Sequence, residues 1–386
     1  MKKKVCIVTG TRAEYGLFLP ILSALKKSSN LELQLVATTM HLSEEFGQTY
    51  QQIEQDGFYI DEKVENLLAS DTKTSMAKSA ALASMLLSDA YNRLKPDVVL
   101  LLGDRFETHA AATTAMLMNI PIAHIHGGEI TEGAVDEQIR HSITKMAYLH
   151  FTSTEQYRKR VIQLGENPKR VFCTGAPGID NILNLKLLEK DALEKELNWK
   201  IKNPLALFTY HPETLSDSDI KLQIQEILKQ IKNLDINILF TYANADNGGR
   251  IVNQAIEQFS QQNKEKYLVV KSLGQLKYLS TMKHANLLIG NTSSGIIEAA
   301  SFHLPVVNIG NRQKGRIQSG NIINCNIPDI TNSISKALTS SFIKHCKSIN
   351  NLYGKGDAAQ QIVQLIEKSE LSSTKRFYDI GKTLKK

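Results

Sequence analysis

The sequence has few cysteines, and no pattern joins them. The four cysteines are Cys6, Cys173, Cys325 and Cys346, and no two of them form a CxxC pair. This spacing fits neither a zinc motif nor a disulfide framework. We therefore expect free thiols in a reducing compartment and predict a cytoplasmic protein.

Long apolar runs are also missing. No apolar stretch approaches the roughly 20 residues that a transmembrane helix needs. The run that follows Lys2 to Lys4 ends after a few residues at Thr9 and Gly10, which is too short for a signal peptide. We expect no association with a membrane.

The surplus of positive charge is modest, and part of it lies in the terminal lysines Lys2 to Lys4, Lys382, Lys385 and Lys386. The formal net charge is +7 over 386 residues, and no block of lysine and arginine carries interleaved aromatic residues. This pattern argues against nucleic acid as a partner, whereas a modest basic surplus suits a small anionic molecule. The content of 42% hydrophobic and 22% charged residues is that of a globular protein, and the length predicts two domains.

Short apolar runs alternate with longer amphipathic segments along the whole chain. The run from Val98 to Leu102 is apolar at every position, as expected for a parallel strand covered on both faces. The alternation restarts after a polar stretch around 185 to 202, and Gly175, Pro177 and Gly178 punctuate the chain before it. The sequence predicts two α/β, Rossmann-like domains, 1–176 and 177–386, with the last helix as a candidate to return to the first domain.

Charged residues in the first half cluster just after predicted strands, where open α/β sheets bind ligands. They are Arg12 in TGTRAEYG, Asp104 and Arg105 after DVVLLLG, Glu129 in HIHGGE, and Asp136 in DEQIRHSITK. Charge at the end of a buried strand is costly unless it has a role. As a simpler alternative, Asp136 would only cap its helix.

Two histidines in HIHGGE raise the question of a metal. Strand alternation would place His124 and His126 on the same face, as in a metal-binding pair. No further ligands at a suitable spacing complete such a site, so we predict no metal and read Glu129 as an active-site carboxylate.

The second half carries polar residues suited to a phosphorylated ligand. Pro212 ends a strand and leaves His211 at its mouth, where a histidine could donate a proton or a hydrogen bond to a diphosphate. Asn244 lies in a glycine-rich loop, and 291–295 join a strand to a helix, an arrangement that suits phosphate. We expect Glu298, within that helix, to bind ribose hydroxyls, and Arg312 to close the next loop.

Taken together, these segments resemble the hydrolysing UDP-N-acetylglucosamine 2-epimerases of sialic-acid biosynthesis, which release N-acetylmannosamine and UDP. The resemblance covers nearly the whole chain and rests on eight segments in order: TGTRAEYG, LLGDRFE, HIHGGE, DEQIRHSITK, YHPET, NADNGG, GNTSSGIIE and NIGNRQKGR. It implies the GT-B type of fold, in which two Rossmann-like domains face each other across a cleft. It also implies that no metal or nicotinamide cofactor is needed.

The resemblance assigns roles to particular residues. Asp104, Glu129 and Asp136 would be the acid and base carboxylates, with His211 as a further catalytic candidate. The residues expected to bind the nucleotide sugar are Arg12, Arg105, His211, Asn244, Thr292, Ser293, Ser294, Gly295, Glu298 and Arg312. Where a familiar member has HIEGGE this chain has His126, which leaves open which carboxylate is the base.

Several alternatives stay open at this point. The sugar could instead be a 2,4-diacetamido-2,4,6-trideoxyhexose of the legionaminic acid pathway, and the nucleotide UDP or GDP. A GT-B glycosyltransferase, a non-hydrolysing epimerase or a non-catalytic nucleotide-sugar-binding regulator would share the fold. The resemblance further implies a homodimer or homotetramer.

Overall fold

The structure is a computed structural model that describes residues 2–70, 72–132, 135–213, 219–243 and 248–381. Internal contacts divide the chain into two units. The first comprises Met1–Glu129, Asp136–Asn181 and Tyr353–Lys386, and the second comprises Ile130–Val135 and Ile182–Leu352. Within the described ranges, no helix has both the length and the apolar character needed to cross a membrane.

The first unit alternates strands and helices. Its strands are β1 Lys3–Thr9, β2 Leu31–Thr38, β3 Glu62–Val64, β4 Val98–Leu102, β5 Ile122–Ile125, β6 Leu149–Thr152 and β7 Val171–Cys173. Its helices up to the change of unit are α1 Arg12–Lys27, α2 Tyr50–Gln55, α3 Lys73–Leu94, α4 Phe106–Leu117, α5 Asp136–Met146, α6 Glu155–Gln163 and α7 Pro177–Asn184, the last of which runs into the second unit.

These strands form one parallel sheet in the order β3-β2-β1-β4-β5-β6-β7. The chain winds outward from β1 in one direction and from β4 in the other, so the switch point of the topology lies between β1 and β4. Strand β4 is buried at all five positions because helices cover both faces of the sheet. The carboxyl ends of β1 and β4 are therefore the expected place for a ligand.

The second unit repeats this plan. Its strands are β8 Leu205–Thr209, β9 Asn237–Thr241, β10 Tyr267–Val270, β11 Leu287–Gly290, β12 Val306–Ile309 and β13 Ile322–Cys325, in the parallel order β10-β9-β8-β11-β12-β13. Its helices are α8 Lys190–Leu197, α9 Ile220–Lys232, α10 Gly249–Ser260, α11 Gly274–His284, α12 Ser293–Ile297, α13 Ile330–Ala337 and α14 Ser340–Lys347. The switch point here lies between β8 and β11.

The chain returns to the first unit at Tyr353. The last helix, α15 Ala358–Lys368, packs against α1 in the first core, where Ile362 and Ile366 are fully buried. The change from the first unit to the second falls after Asn181, inside α7.

Gly290 allows β11 to lie very close to its neighbour β8 at the second switch point. Its φ angle is +132°, and a Cβ atom placed on it would lie 1.9 Å from the carbonyl oxygen of Thr209 on β8. Only glycine combines this backbone conformation with such a close approach of two strands. The residues that follow Gly290 are thereby held directly beside the end of β8.

Candidate active site

In the first unit, a buried arginine contacts two of the predicted catalytic residues. Arg140, on α5, is 1% exposed. Its Nη2 pairs with the carboxylate of Asp104, just past β4, and its Nη1 donates to the carbonyl oxygen of Glu129 over 3.0 Å. A second carboxylate, Glu137, lies 3.6 Å from Nη1. Arg140 thus ties the ends of β4 and β5 to α5.

The carboxylate of Glu129 is buried and has two partners on one oxygen. Glu129 is 1% exposed. Its Oε1 lies 2.6 Å from Nδ1 of His126 and accepts a hydrogen bond from the Ser153 hydroxyl, which follows β6, over 2.8 Å. Hydrogen bonds to a carboxylate favour its ionised form. The site therefore holds Glu129 as an oriented acceptor.

Two further buried carboxylates, Glu14 and Glu107, lie near Arg105. Arg105 precedes α4, and its Nε donates to Oε1 of Glu107 over 2.7 Å. Glu14, on α1, accepts the N–H of Gly10 over 2.6 Å, and burial together with the charge of Glu107 raises the pKa of Glu14 to about 8. Gly10 is required here, because a Cβ on it would lie 2.6 Å from Glu107 Cγ.

Arg12 and Asp136 are the first residues of their helices. Arg12 opens α1 after its N-cap Thr11, and burial lowers the pKa of Arg12 to about 10, so it stays cationic at neutral pH. Asp136 opens α5 one turn before Arg140. It lies inside the first turn, one position later than the N-cap role considered from the sequence.

The two histidines of HIHGGE have different partners, and the strand alternation that was expected to place them on one face does not extend to His126. Strand β5 ends at Ile125, and His126 has a left-handed backbone with φ of +67°. Nε2 of His124 lies 2.7 Å from the carbonyl oxygen of Gly103, and burial lowers the pKa of His124 to about 3. Among the described residues, no three His, Cys, Asp or Glu side chains are grouped as a metal site requires.

The second unit links its predicted residues through Asn291. The side chain of Asn291 is fully buried, accepts the N–H of His211 over 2.7 Å and donates to the His211 carbonyl over 2.8 Å. The carbonyl of Asn291 accepts from Arg312 Nη1 over 3.3 Å and from Gln313 Nε2 over 2.8 Å. His211 and Arg312 are therefore brought together at the second switch point.

The remaining predicted residues of this unit follow Asn291 directly. Thr292 caps the short helix α12, in which Ser293, Ser294 and Gly295 lie. Glu298 is 6% exposed and is the C-cap of α12, so the expectation that it lies within the helix was wrong, because the helix ends at Ile297. Asn244 lies outside the described residues.

Sequence reasoning gave no role to several residues that organise these clusters. Arg140, Ser153 and Gln313 were not predicted to belong to the site, and Glu107 and Asn291 were noted only beside the predicted residues. The spacing of Arg140 from Asp136, four residues along a helix, places both on one face and is the only sequence signal for the first of them. The other contacts depend on which strands become neighbours in the sheet.

Solved structures share this fold. With the UDP-GlcNAc 2-epimerase from Neisseria meningitidis bound to UDP-GlcNAc, the TM-score is 0.81 at 21% identity, over 95% of this chain and 100% of that chain. With the Methanocaldococcus jannaschii UDP-GlcNAc 2-epimerase in complex with UDP-GlcNAc and UDP, it is 0.79 at 20% identity, over 95% and 100%. The predicted fold class, α/β with two Rossmann-like domains of the GT-B type, is confirmed.

The family follows from the sequence matches. The family described as UDP-N-acetylglucosamine 2-epimerase matches residues 23–367, and this chain belongs to it. The chain is 45% identical to a Campylobacter jejuni GDP/UDP-N,N'-diacetylbacillosamine 2-epimerase (hydrolyzing), over 88% of this chain and 89% of the relative. It is 39% identical to the polysialic acid biosynthesis protein P7 of Escherichia coli, over 98% of each. The predicted family is confirmed, and the enzyme class is that of nucleotide-sugar 2-epimerases.

Proposed function

We propose that the protein hydrolyses a nucleotide diphosphate-linked 2-acetamido sugar and inverts carbon 2, releasing the free 2-epimer and the nucleoside diphosphate. The observation that carries this proposal is the buried Arg140, which binds the carboxylate of Asp104 and the backbone of Glu129. Arg140 thereby joins the chain segments that carry two carboxyl residues, which can supply the base and the acid that inversion at a carbon requires.

The first step is an elimination. A carboxylate removes the proton from carbon 2, the electrons of that C–H bond form the C1=C2 double bond, and the C1–O bond breaks toward the diphosphate. The product is a 2-acetamidoglucal and the free nucleotide. Because carbon 2 is a very weak acid, stabilisation of the departing diphosphate must lower much of the barrier. We assign the base to Glu129, whose carboxylate is held by two donors.

The second step adds water across the double bond. A carboxylic acid transfers its proton to carbon 2 so that the configuration is inverted, the oxygen of water bonds to carbon 1, and the proton that this water releases returns to the carboxylate left by the acid. Asp104 and Asp136 are the candidates for the acid. Asp104 is held by Arg140, and Asp136 lies one turn before that arginine on α5.

Binding of the leaving group falls to cationic and polar residues. We propose that Arg12, Arg105, His211 and Arg312 stabilise the diphosphate. Thr292, Ser293, Ser294, Gly295 and Glu298 would contact the nucleotide, as would Asn244. Arg12 is the first residue of α1, just past β1, and Arg105 precedes α4, just past β4. The backbone of His211 is hydrogen-bonded to the side chain of Asn291. Positioned cations of this kind stabilise charge that develops as the C1–O bond breaks.

The sugar is the finer part of the proposal. The sequence analysis expected UDP-N-acetylglucosamine and left a diacetamido sugar open as the alternative. The names of the relatives favour the diacetamido sugar. The Campylobacter jejuni enzyme at 45% identity and a Legionella pneumophila enzyme at 35% identity are both named N,N'-diacetylbacillosamine 2-epimerases (hydrolyzing). We therefore propose nucleotide-linked diacetylbacillosamine as the preferred substrate. UDP-N-acetylglucosamine is the alternative, because a Neisseria meningitidis relative at 28% identity is named UDP-N-acetylglucosamine 2-epimerase.

A substrate panel tests this assignment. The purified protein is incubated with UDP-N-acetylglucosamine and with the UDP and GDP forms of diacetylbacillosamine, while phosphorus NMR follows the nucleotide and proton NMR identifies the sugar. We expect release of nucleoside diphosphate together with an equal amount of free 2-epimer, fastest for diacetylbacillosamine. Glu129→Gln should abolish release, whereas Glu54→Gln, at an exposed ion pair with Lys63, should not. No release from any of the three would overturn the proposal.

A further inference from the structure

We propose that His126 is a positioning residue for Glu129, and that it donates a hydrogen bond from Nδ1 that keeps the Glu129 carboxylate ionised and fixed. The proposal rests on the proposed function, in which Glu129 is the base. It assigns the proton of the His126 ring to Nδ1, the nitrogen that lies 2.6 Å from Glu129 Oε1.

The geometry around Glu129 Oε1 supports this assignment. His126 is 6% exposed and Glu129 is 1% exposed, so water does not substitute for the contact. Ser153 donates to the same oxygen, and two donors converging on one oxygen match a carboxylate rather than a neutral carboxyl group. Nδ1 of His126 must then carry a hydrogen, because a bare ring nitrogen facing a carboxylate oxygen would repel it.

The surroundings of the other ring nitrogen, Nε2, agree with a hydrogen on Nδ1. Nε2 of His126 is buried and has no hydrogen-bond partner among the described residues. A buried lone pair without a partner is less costly than a buried N–H without one, since an unpaired donor is the rarer case in folded proteins. The neutral ring with hydrogen on Nδ1 is the form that leaves no unpaired donor.

The backbone holds the ring in this place at a conformational cost. His126 has φ of +67°, a region that bulky residues seldom adopt and that is found often at functional sites. Its N–H donates to the carbonyl of Phe151, and Arg160 donates to the carbonyl of Gly128 over 2.5 Å. A Cβ on Gly128 would lie 2.5 Å from the carbonyl oxygen of Tyr157, so the turn between His126 and Glu129 has no room to shift.

The charged groups near Glu129 come from three elements. Arg140 on α5 bonds to its carbonyl oxygen and is paired with Asp104, and Arg160 on α6 bonds to the neighbouring carbonyl. His124 on β5 is neutral at ordinary pH because burial lowers its pKa. The arginines contact the backbone of the turn, whereas His126 and Ser153 contact Oε1 itself. Removing the His126 donor should raise the pKa of Glu129.

A matched pair of variants separates the hydrogen bond from the backbone strain. His126→Asn keeps a donor near the position of Nδ1, whereas His126→Asp has the same shape but offers a carboxylate. Asn and Asp both tolerate a left-handed backbone better than other residues. We expect H126N to retain the kcat and pH profile of the wild type. In H126D we expect kcat to fall, KM to change little, and the acidic limb of kcat to move upward by about one pH unit or more.

The same comparison gives the contrary outcomes. Equal pH profiles and equal kcat values for H126N and H126D would overturn the proposal, as would loss of activity in a folded H126N protein. Thermal unfolding of each variant checks that it is folded.

Nitrogen NMR of the protein labelled with ¹⁵N-histidine tests the proposal without turnover. We expect a resonance of a neutral ring with hydrogen on Nδ1, absent from H126N and shifted in Glu129→Gln. A ring with hydrogen on Nε2 would contradict the assignment even if the enzyme is active. Absence of turnover in the wild type would instead contradict the proposed function. The NMR result would still decide which ring nitrogen of His126 carries the hydrogen.

Discussion

The guanidinium of Arg140 forms a buried ion pair with the carboxylate of Asp104 and donates from its other terminal nitrogen to the Glu129 backbone. Removing one partner of such a pair leaves an uncompensated charge, which costs about 3 kcal/mol of the free energy of unfolding. We expect Arg140→Met to lose about this much, and Arg140→Lys to stay folded with a much lower kcat, because an ammonium cannot make both contacts. Denaturant unfolding and steady-state kinetics measure the two effects.

An exposed arginine provides the control for this prediction. Arg93 pairs with Glu62 at 2.7 Å, but its side chain is 58% exposed. Arg93→Met should leave the free energy of unfolding nearly unchanged, because solvent screens an exposed ion pair. Equal losses for the two methionine variants would show that the Arg140 pair is no more important to the fold than a surface contact.

Glu14 should make the protein less stable as the pH rises. Its pKa is raised from the ordinary 4.5 to about 8 by burial and by Glu107, so the folded state holds a proton that the unfolded state releases. The free energy of unfolding should therefore fall between pH 4.5 and 8, by up to about 1.4 kcal/mol per pH unit from this group. Glu14→Gln should flatten this decline in denaturant unfolding at pH 5 and pH 8. An unchanged slope in the variant would contradict the prediction.

Glu166 should have the opposite pH dependence. Burial acts to raise its pKa, but hydrogen bonds and charge from His150, Lys145 and Lys375 outweigh burial and lower it to about 2. The stability that this cluster contributes should be present above pH 4.5 and lost as the pH falls toward 2. At pH 7 we expect Glu166→Gln to be destabilised by about 3 kcal/mol, with the difference from the wild type vanishing in acid. Glu155→Gln, at an exposed pair with Arg158, should show no such pH-dependent difference.

Gly290 should tolerate no side chain. Because a Cβ there would lie 1.9 Å from the Thr209 carbonyl, Gly290→Ala should force β11 and β8 apart and lower the melting temperature sharply. Gly274 also has a positive φ, of +66°, but nothing lies within 4 Å of its Cβ position. Gly274→Ala should therefore show only the milder effect of the backbone conformation. Similar melting temperatures for the two variants would contradict the claim that the close approach of β11 and β8 requires glycine at position 290.

The alternation of strands and helices was predictable because its signal is local. Runs such as Val98 to Leu102, apolar at every position, can be stable only where helices cover both faces of a sheet, and β4 has this environment. Charged residues just past such strands, including Asp104 and Arg105, could be placed at the carboxyl edge of the sheet for the same reason.

The contacts within the site were not predictable in the same way. His126 was expected to continue β5, but the strand ends at Ile125 and both His126 and Gly128 have positive φ, so the alternation of faces stops there. Glu298 was expected inside a helix that in fact ends one residue earlier. Ser153 meets Glu129 because β6 lies beside β5, a pairing that depends on strand order rather than on local sequence.

The most direct test of the account is the fate of the hydrogen on carbon 2. The wild-type protein is incubated in deuterium oxide with nucleotide-linked diacetylbacillosamine and, separately, with UDP-N-acetylglucosamine, and the released sugar is examined by proton NMR. The account predicts a free 2-epimer that carries deuterium at carbon 2, formed together with the nucleoside diphosphate. A released 2-epimer that retains its original hydrogen at carbon 2, or a free sugar with unchanged configuration, would contradict it.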